Sequence, residues 1–79
     1  MASLRQKFGA RLRSIRKQRD LTQEEFAELV GISVDFLSLI ERGINAPSFE
    51  VLDQMGKSLR LPVMALFDFS APKANQPRK

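Results

Sequence analysis

The segment that most constrains this chain is TQEEFAELVGIS, residues 22–33. Thr22 followed three residues later by Glu25 is a capping box, in which two side chains satisfy the free N–H groups at a helix start. Glu24 adds negative charge at the positive end of the same helix dipole. Phe26, Ala27, Leu29 and Val30 are expected to face inward, and Gly31 is the expected left-handed C-cap. Ser33 then caps another helix, predicted from Val34 to about Arg42 and stopped by Gly43. Only Gly31 and Ile32 separate the two, so the rest of the chain has to pack around a closely joined pair.

A short turn containing glycine between two capped helices is the helix-turn-helix signature. Before it, Leu4, Phe8, Leu12 and Ile15 recur at spacings of four, four and three, one apolar stripe ending near Arg19. After it, the loop GINAPS carries the turn formers Asn45 and Pro47, and Ser48 caps a fourth helix. Phe49, Leu52, Met55 and Leu59 form its stripe, with Gly56 on the same face where a neighbouring helix is expected to approach closely. Pro62 suits the first turn of a last helix, PVMALFDF. The reading is all-α, five short helices in one domain over residues 1–69, followed by a disordered basic tail at 70–79. That tail holds two prolines and no large apolar residue.

Seventy-nine residues bury only about 60% of the unfolded surface, and the chain has no cysteine or histidine. Disulfides and thiolate metal sites are therefore excluded, and the commonest general base is missing. No cofactor, metal or small-molecule ligand is expected. With no clustered carboxylates and no glycine-rich phosphate loop, an enzyme is not expected either. No apolar run reaches the roughly 18 residues that span a bilayer, and the N-terminus lacks the apolar core of a secretory signal. A cytoplasmic protein is expected.

The net charge of +4 is unevenly placed: residues 5–19 hold Arg5, Lys7, Arg11, Arg13, Arg16, Lys17 and Arg19 with no acid among them. Such a segment points to a polyanion, most often nucleic acid, or else to a solubilising face.

Taken together, LTQEEFAELVGIS, FLSLIERG and NAPS resemble the lambda-repressor/Cro-like helix-turn-helix family, often called XRE, over roughly residues 8–67. The resemblance implies five helices around one core, with the third helix lying in the major groove of operator DNA bound by a two-fold dimer. It also implies an ion pair between Arg16 and Glu41 that ties the reading helix to the core. Gln23 matches the position that reaches a phosphate and braces that helix. The N–H groups around Ser33 would receive a phosphate oxygen, and Arg42 is well placed for another. Asn45 and Ser48 match the loop that clamps the backbone on the far side; such contacts give affinity and register without reading sequence.

At 100° per residue, Leu37 and Ile40 fall on the core side of the third helix, with Phe36 at the edge, half-buried or against a sugar-phosphate strand. Val34, Asp35, Ser38, Leu39 and Arg42 face outward, and the first four match the family's base-reading positions. Val34 and Leu39 suit thymine methyls, Asp35 suits the cytosine amino group, and Ser38 discriminates little. This face departs from the family's common pattern, because no Gln, Asn, Lys or Arg holds a central reading position. Val63, Leu66 and Phe67 match the core side of the last helix, leaving Met64, Ala65 and Phe69 as the expected homodimer contact. The alternative for Phe69 is to fold back onto the first helix.

The function expected is a small repressor or controller from a bacterium or phage that binds double-stranded DNA as a homodimer. The alternative is a protein-interaction module on the same fold, such as an antitoxin or transcription co-regulator.

Overall fold

The computed structural model describes residues 1–70. Four α-helices follow in order among the described residues: α1 (Leu4–Gln18), α2 (Gln23–Val30), α3 (Val34–Glu41) and α4 (Phe49–Leu59). The fifth element differs from the expectation: Val63–Phe67 is a 3₁₀ helix, not an α-helix. Pro62 precedes it in extended backbone (φ −62°, ψ 145°) and gives no side-chain cap, and five residues cannot build a stable run of i→i−4 bonds. The tail expected at 70–79 lies, apart from Ser70, outside the described residues.

Each α-helix starts where a side-chain oxygen serves its free N–H groups. Thr22 accepts from the Glu25 N–H at 3.1 Å while Glu25 accepts from the Thr22 N–H at 2.9 Å. A second capping box, beyond the one expected at Thr22, joins Ser3 and Gln6 at the start of α1. Ser33 and Ser48 cap α3 and α4 by accepting from the N–H groups of Phe36 and Val51. Gly31 ends α2 at φ 79°, and a Cβ there would also run into the Gln54 side chain, which donates to the Val30 carbonyl.

The core comprises Phe8, Leu12 and Ile15 of α1, Phe26, Ala27 and Val30 of α2, Leu37 and Ile40 of α3, Leu52, Met55 and Leu59 of α4, and Leu66. Four residues expected inside are not. Leu4 and Phe49 open their helices beyond the reach of a neighbour and stay 63% and 87% exposed. Leu29 lies off the arc set by Phe26, Ala27 and Val30, and Val63 only skirts the core; both keep about two-fifths of their surface exposed. The close neighbours of Gly56 are the Leu61 carbonyl and the Val63 side chain, where the chain reverses, not another α-helix.

The arginines of α1 have a structural use that composition does not reveal. Arg5 donates to the Ile44 carbonyl (3.2 Å), Arg11 to Ala65 (2.9 Å), Arg16 to Leu21 (3.0 Å) and Arg19 to Leu59 (2.6 Å). Three of those acceptors lie at or just beyond the end of an α-helix, where carbonyls lack intrahelical partners, and the fourth is in the 3₁₀ segment. So four of the seven basic residues at 5–19 tie the helices together, Arg16 buried, Arg11 half-buried, and Arg5 and Arg19 from exposed positions.

Candidate nucleic-acid interface

α3 is held from beneath by one carboxylate. Arg16 donates from Nε to Glu41 Oε2 at 2.7 Å and from Nη2 to Oε1 at 3.0 Å, a bidentate pair whose side chains are 10% and 4% exposed. Gln23 Nε2 donates to the same Oε1 at 3.1 Å. Glu41 thus joins α1, the first residue of α2 and the last residue of α3. Charge-assisted, two-point bonds of this kind fix orientation as well as distance. The amide of Gln23, the residue expected to meet a phosphate, is thereby turned toward the end of α3.

A second contact holds α3 from the α1 side. A Cβ on Gly9 would overlap the Ile40 carbonyl and lie 2.9 Å from that of Glu41, so α1 and the end of α3 touch backbone to backbone. Sequence reasoning missed Gly9, although the signal was present. Gly9 and Arg16 are seven residues apart, on one face of α1, and both meet the end of α3.

The outward side of α3 is graded. Asp35 and Arg42 are exposed, while Ser38 and Leu39 are half-buried. Val34 and Phe36 are also half-buried and pack their inner sides on the core, which limits both to contacts at the rim. The Leu39 carbonyl accepts the N–H groups of Ile44 and Asn45 at 2.9 and 3.3 Å, folding the loop back under the helix. That loop carries Asn45, half-buried, and leads to Ser48 at the start of α4. The starts of α2, α3 and α4 carry Gln23, Ser33 and Ser48, so three of the residues expected to meet phosphates sit at helix starts, while Arg42 closes α3 and Asn45 lies in the loop after it.

The residues expected at a dimer contact are set apart from α3. Met64 is 83% exposed, whereas Ala65 is half-buried with its carbonyl held by Arg11. Phe69 meets Phe67 edge-on at 6.2 Å and lines a shallow hollow with Ala2 and with Gln6 and Ala10 of α1. It is thus turned back toward the first helix, with 41% of its surface exposed. Ser70 closes this end by donating from its hydroxyl (2.7 Å) and its N–H (3.2 Å) to Asp68 Oδ1. Those bonds stabilise the carboxylate and hold Asp68 below its ordinary pKa. No helix among the described residues is long and apolar enough to cross a membrane.

Comparison with known proteins follows the same lines. The family model described as helix-turn-helix matches residues 12–65. An HTH-type transcriptional regulator of Mycobacterium tuberculosis is 37% identical over 59 residues, 75% of this chain; the chain spans 42% of that relative's length. The clp gene regulator ClgR of C. glutamicum superposes with a TM-score of 0.77 at 33% identity, over 89% of this chain and 91% of its own. The restriction-modification controller protein C.AhdI of Aeromonas hydrophila gives 0.74 at 31% identity, over 78% and 94%. The match covers both capped helices, the two-residue turn between them and the helices that pack around the pair, and the chain belongs to the XRE-type helix-turn-helix family of DNA-binding transcriptional regulators.

Proposed function

We propose that this chain is a repressor or controller that binds a palindromic operator as a homodimer, with α3 in the major groove. The observation that carries the reading is the fixed placement of α3. A buried carboxylate and a backbone-to-backbone contact hold its far end, while its outer side presents Asp35, Ser38, Leu39 and Arg42. Residues 1–69 form the DNA-binding domain and 70–79 a basic tail. The protein acts in the cytoplasm of a bacterium or in a phage-infected cell, and it is not an enzyme.

Gln23, Ser33, Arg42, Asn45 and Ser48 meet phosphates on either side of the groove. Val34 and Leu39 touch thymine methyls at the rim, with Phe36 beside the sugar-phosphate strand. Asp35 accepts from a cytosine amino group, and Ser38 lies over a neighbouring base. Met64, Ala65 and Phe69 join the two copies, which places the half-sites about one helical turn (~34 Å) apart.

Selection from random DNA is expected to enrich a two-fold symmetric site containing thymines, and sedimentation is expected to show two chains per site. Binding should weaken linearly in log K against log salt, as counterions leave the phosphates that the protein neutralises. Failure to enrich any sequence would replace this reading with the interaction module.

The Asp35→Ala variant separates reading from attraction. The carboxylate repels phosphates everywhere and rewards one base pair, so its loss is expected to raise affinity for random DNA. Preference at one operator position should relax at the same time, by about 1–3 kcal/mol. Titrations of random and selected duplexes check both effects, and unchanged binding to both removes Asp35 from the reading face.

A further inference from the structure

The peptide unit that joins Ile44 to Asn45 is held at both of its polar ends. Its N–H donates to the Leu39 carbonyl of α3 at 3.3 Å, and its carbonyl accepts from Arg5 Nη1 of α1 at 3.2 Å. Because a peptide unit is planar, bonds at both ends fix its tilt and so place the Cα of the residue that follows. That residue is Asn45. The Ile44 N–H donates to the same Leu39 carbonyl at 2.9 Å, so α3 grips the loop from one side and Arg5 from the other. A further contact keeps α1 close to the loop: Gly43 turns at φ 78°, and a Cβ there would lie 3.0 Å from the Gln6 Cα. We propose that Arg5 is a positioning residue for DNA binding, whose bond to the Ile44 carbonyl sets Asn45 against the DNA backbone. The inference rests on the reading above in which Asn45 meets a phosphate.

Arg5, Gly9 and Arg16 follow one another at spacings of four and seven, which puts them on one face of α1. Gly9 and Arg16 fix the end of α3, and Arg5 extends the same hold to the loop that follows it. The fold itself does not depend on this bond. Arg5 and Ile44 are both exposed, and without Arg5 the loop stays joined to α3 through the Leu39 carbonyl. A guanidinium that serves a carbonyl in this way contributes placement and not charge neutralisation. Its effect is therefore separable, by salt dependence, from that of an arginine that binds a phosphate.

Titrations of the full chain on its selected duplex and on a random duplex, at several salt concentrations and with melting curves, test the assignment. Arg5→Ala is expected to weaken binding about 3–10-fold, the scale of one lost hydrogen bond. Both duplexes should lose by the same factor, because phosphate contacts carry no sequence information. The slope of log K against log salt should be unchanged, and the melting temperature should fall by less than about 5 °C. Asn45→Ala should weaken binding about as much, and the double variant no more than ~2-fold beyond either single, since both substitutions remove one contact. Losses that multiply would overturn the proposal. A salt slope lower by about 0.9 would make Arg5 a phosphate contact in its own right and overturn it as well. So would a loss confined to the selected duplex, or one that tracks a large drop in melting temperature, by moving the role to the reading helix or to the fold. If Asn45→Ala weakens binding while Arg5→Ala does not, this proposal alone falls. If Asn45→Ala leaves binding unchanged, the phosphate reading of Asn45 falls, and the positioning role with it.

Discussion

Replacing Arg16 by alanine is expected to remove about 3–5 kcal/mol of stability, because it leaves the Glu41 carboxylate buried without its cation. The loss is large against the 5–15 kcal/mol that holds a typical domain together. For a chain this small it corresponds to a fall in melting temperature on the order of 10–40 °C. The Leu21 carbonyl loses its donor in the same step, and the Glu41 carboxylate that Gln23 bonds is no longer held by a guanidinium. Arg13→Ala, on the exposed side of the same helix, should stay within about 0.5 kcal/mol of the parent. Equal melting temperatures for the two variants would refute a structural role for the pair.

A further variant separates stability from orientation. Exchanging both partners for apolar residues, Arg16→Met with Glu41→Leu, removes the desolvation cost along with the attraction. Stability should recover to within a few kcal/mol of the parent. Operator affinity should remain reduced, since no carboxylate then holds the amide of Gln23 or fixes the end of α3. Recovery of both would mean that the pair serves stability alone.

The second large effect is expected at Gly9. Alanine in the middle of a helix ordinarily gains about 1 kcal/mol over glycine. Here the added methyl meets the carbonyls of Ile40 and Glu41, which are backbone and cannot swing aside. α1 and α3 would have to separate, loosening Phe8, Leu12 and Ile40 together. Overpacking of this kind costs about 1–3 kcal/mol, and backbone contact puts this site at or beyond the upper end. Gly9→Ala is therefore expected to be net destabilising by about 2 kcal/mol, visible in denaturant midpoints at an unchanged slope. Ala10→Gly on the exposed side should cost only its propensity of about 1 kcal/mol. A rise in stability for Gly9→Ala would sink the close contact.

Helix starts and stops were legible because they are local. Thr22, Ser33 and Ser48 each act on an N–H three residues ahead, and Gly31 needs only its own φ to end α2. The Ser3–Gln6 box is equally local. Reach was harder to read. Leu4 and Phe49 obey the helical period of their stripes, yet they sit at the first turn of each helix, where no neighbour covers them. Periodicity gives the direction of a side chain, and only packing gives the depth of what it meets.

The candidate site divides in the same way. The outward side of α3 followed from 100° per residue, and the Arg16–Glu41 pair from a family pattern. Whether an arginine of α1 faces solvent or a carbonyl 40 residues away was not available in the sequence, because composition counts charges without their partners. Arg5, Arg11 and Arg19 are alike by letter, yet each ends on a different element.

By itself, then, the sequence determined the four α-helices, the two-residue turn that joins α2 to α3, and the outward placing of Asp35 and Arg42, whereas Val34, expected outward, packs its inner side on the core. These depend on caps, φ preferences and the 3.6-residue period, all of which act within a few residues. The tertiary structure alone decided that Gly9 is the contact point of α1 with α3. It also decided that Arg5 ends on the loop after α3. These depend on distances between segments remote in the chain, which no local pattern encodes.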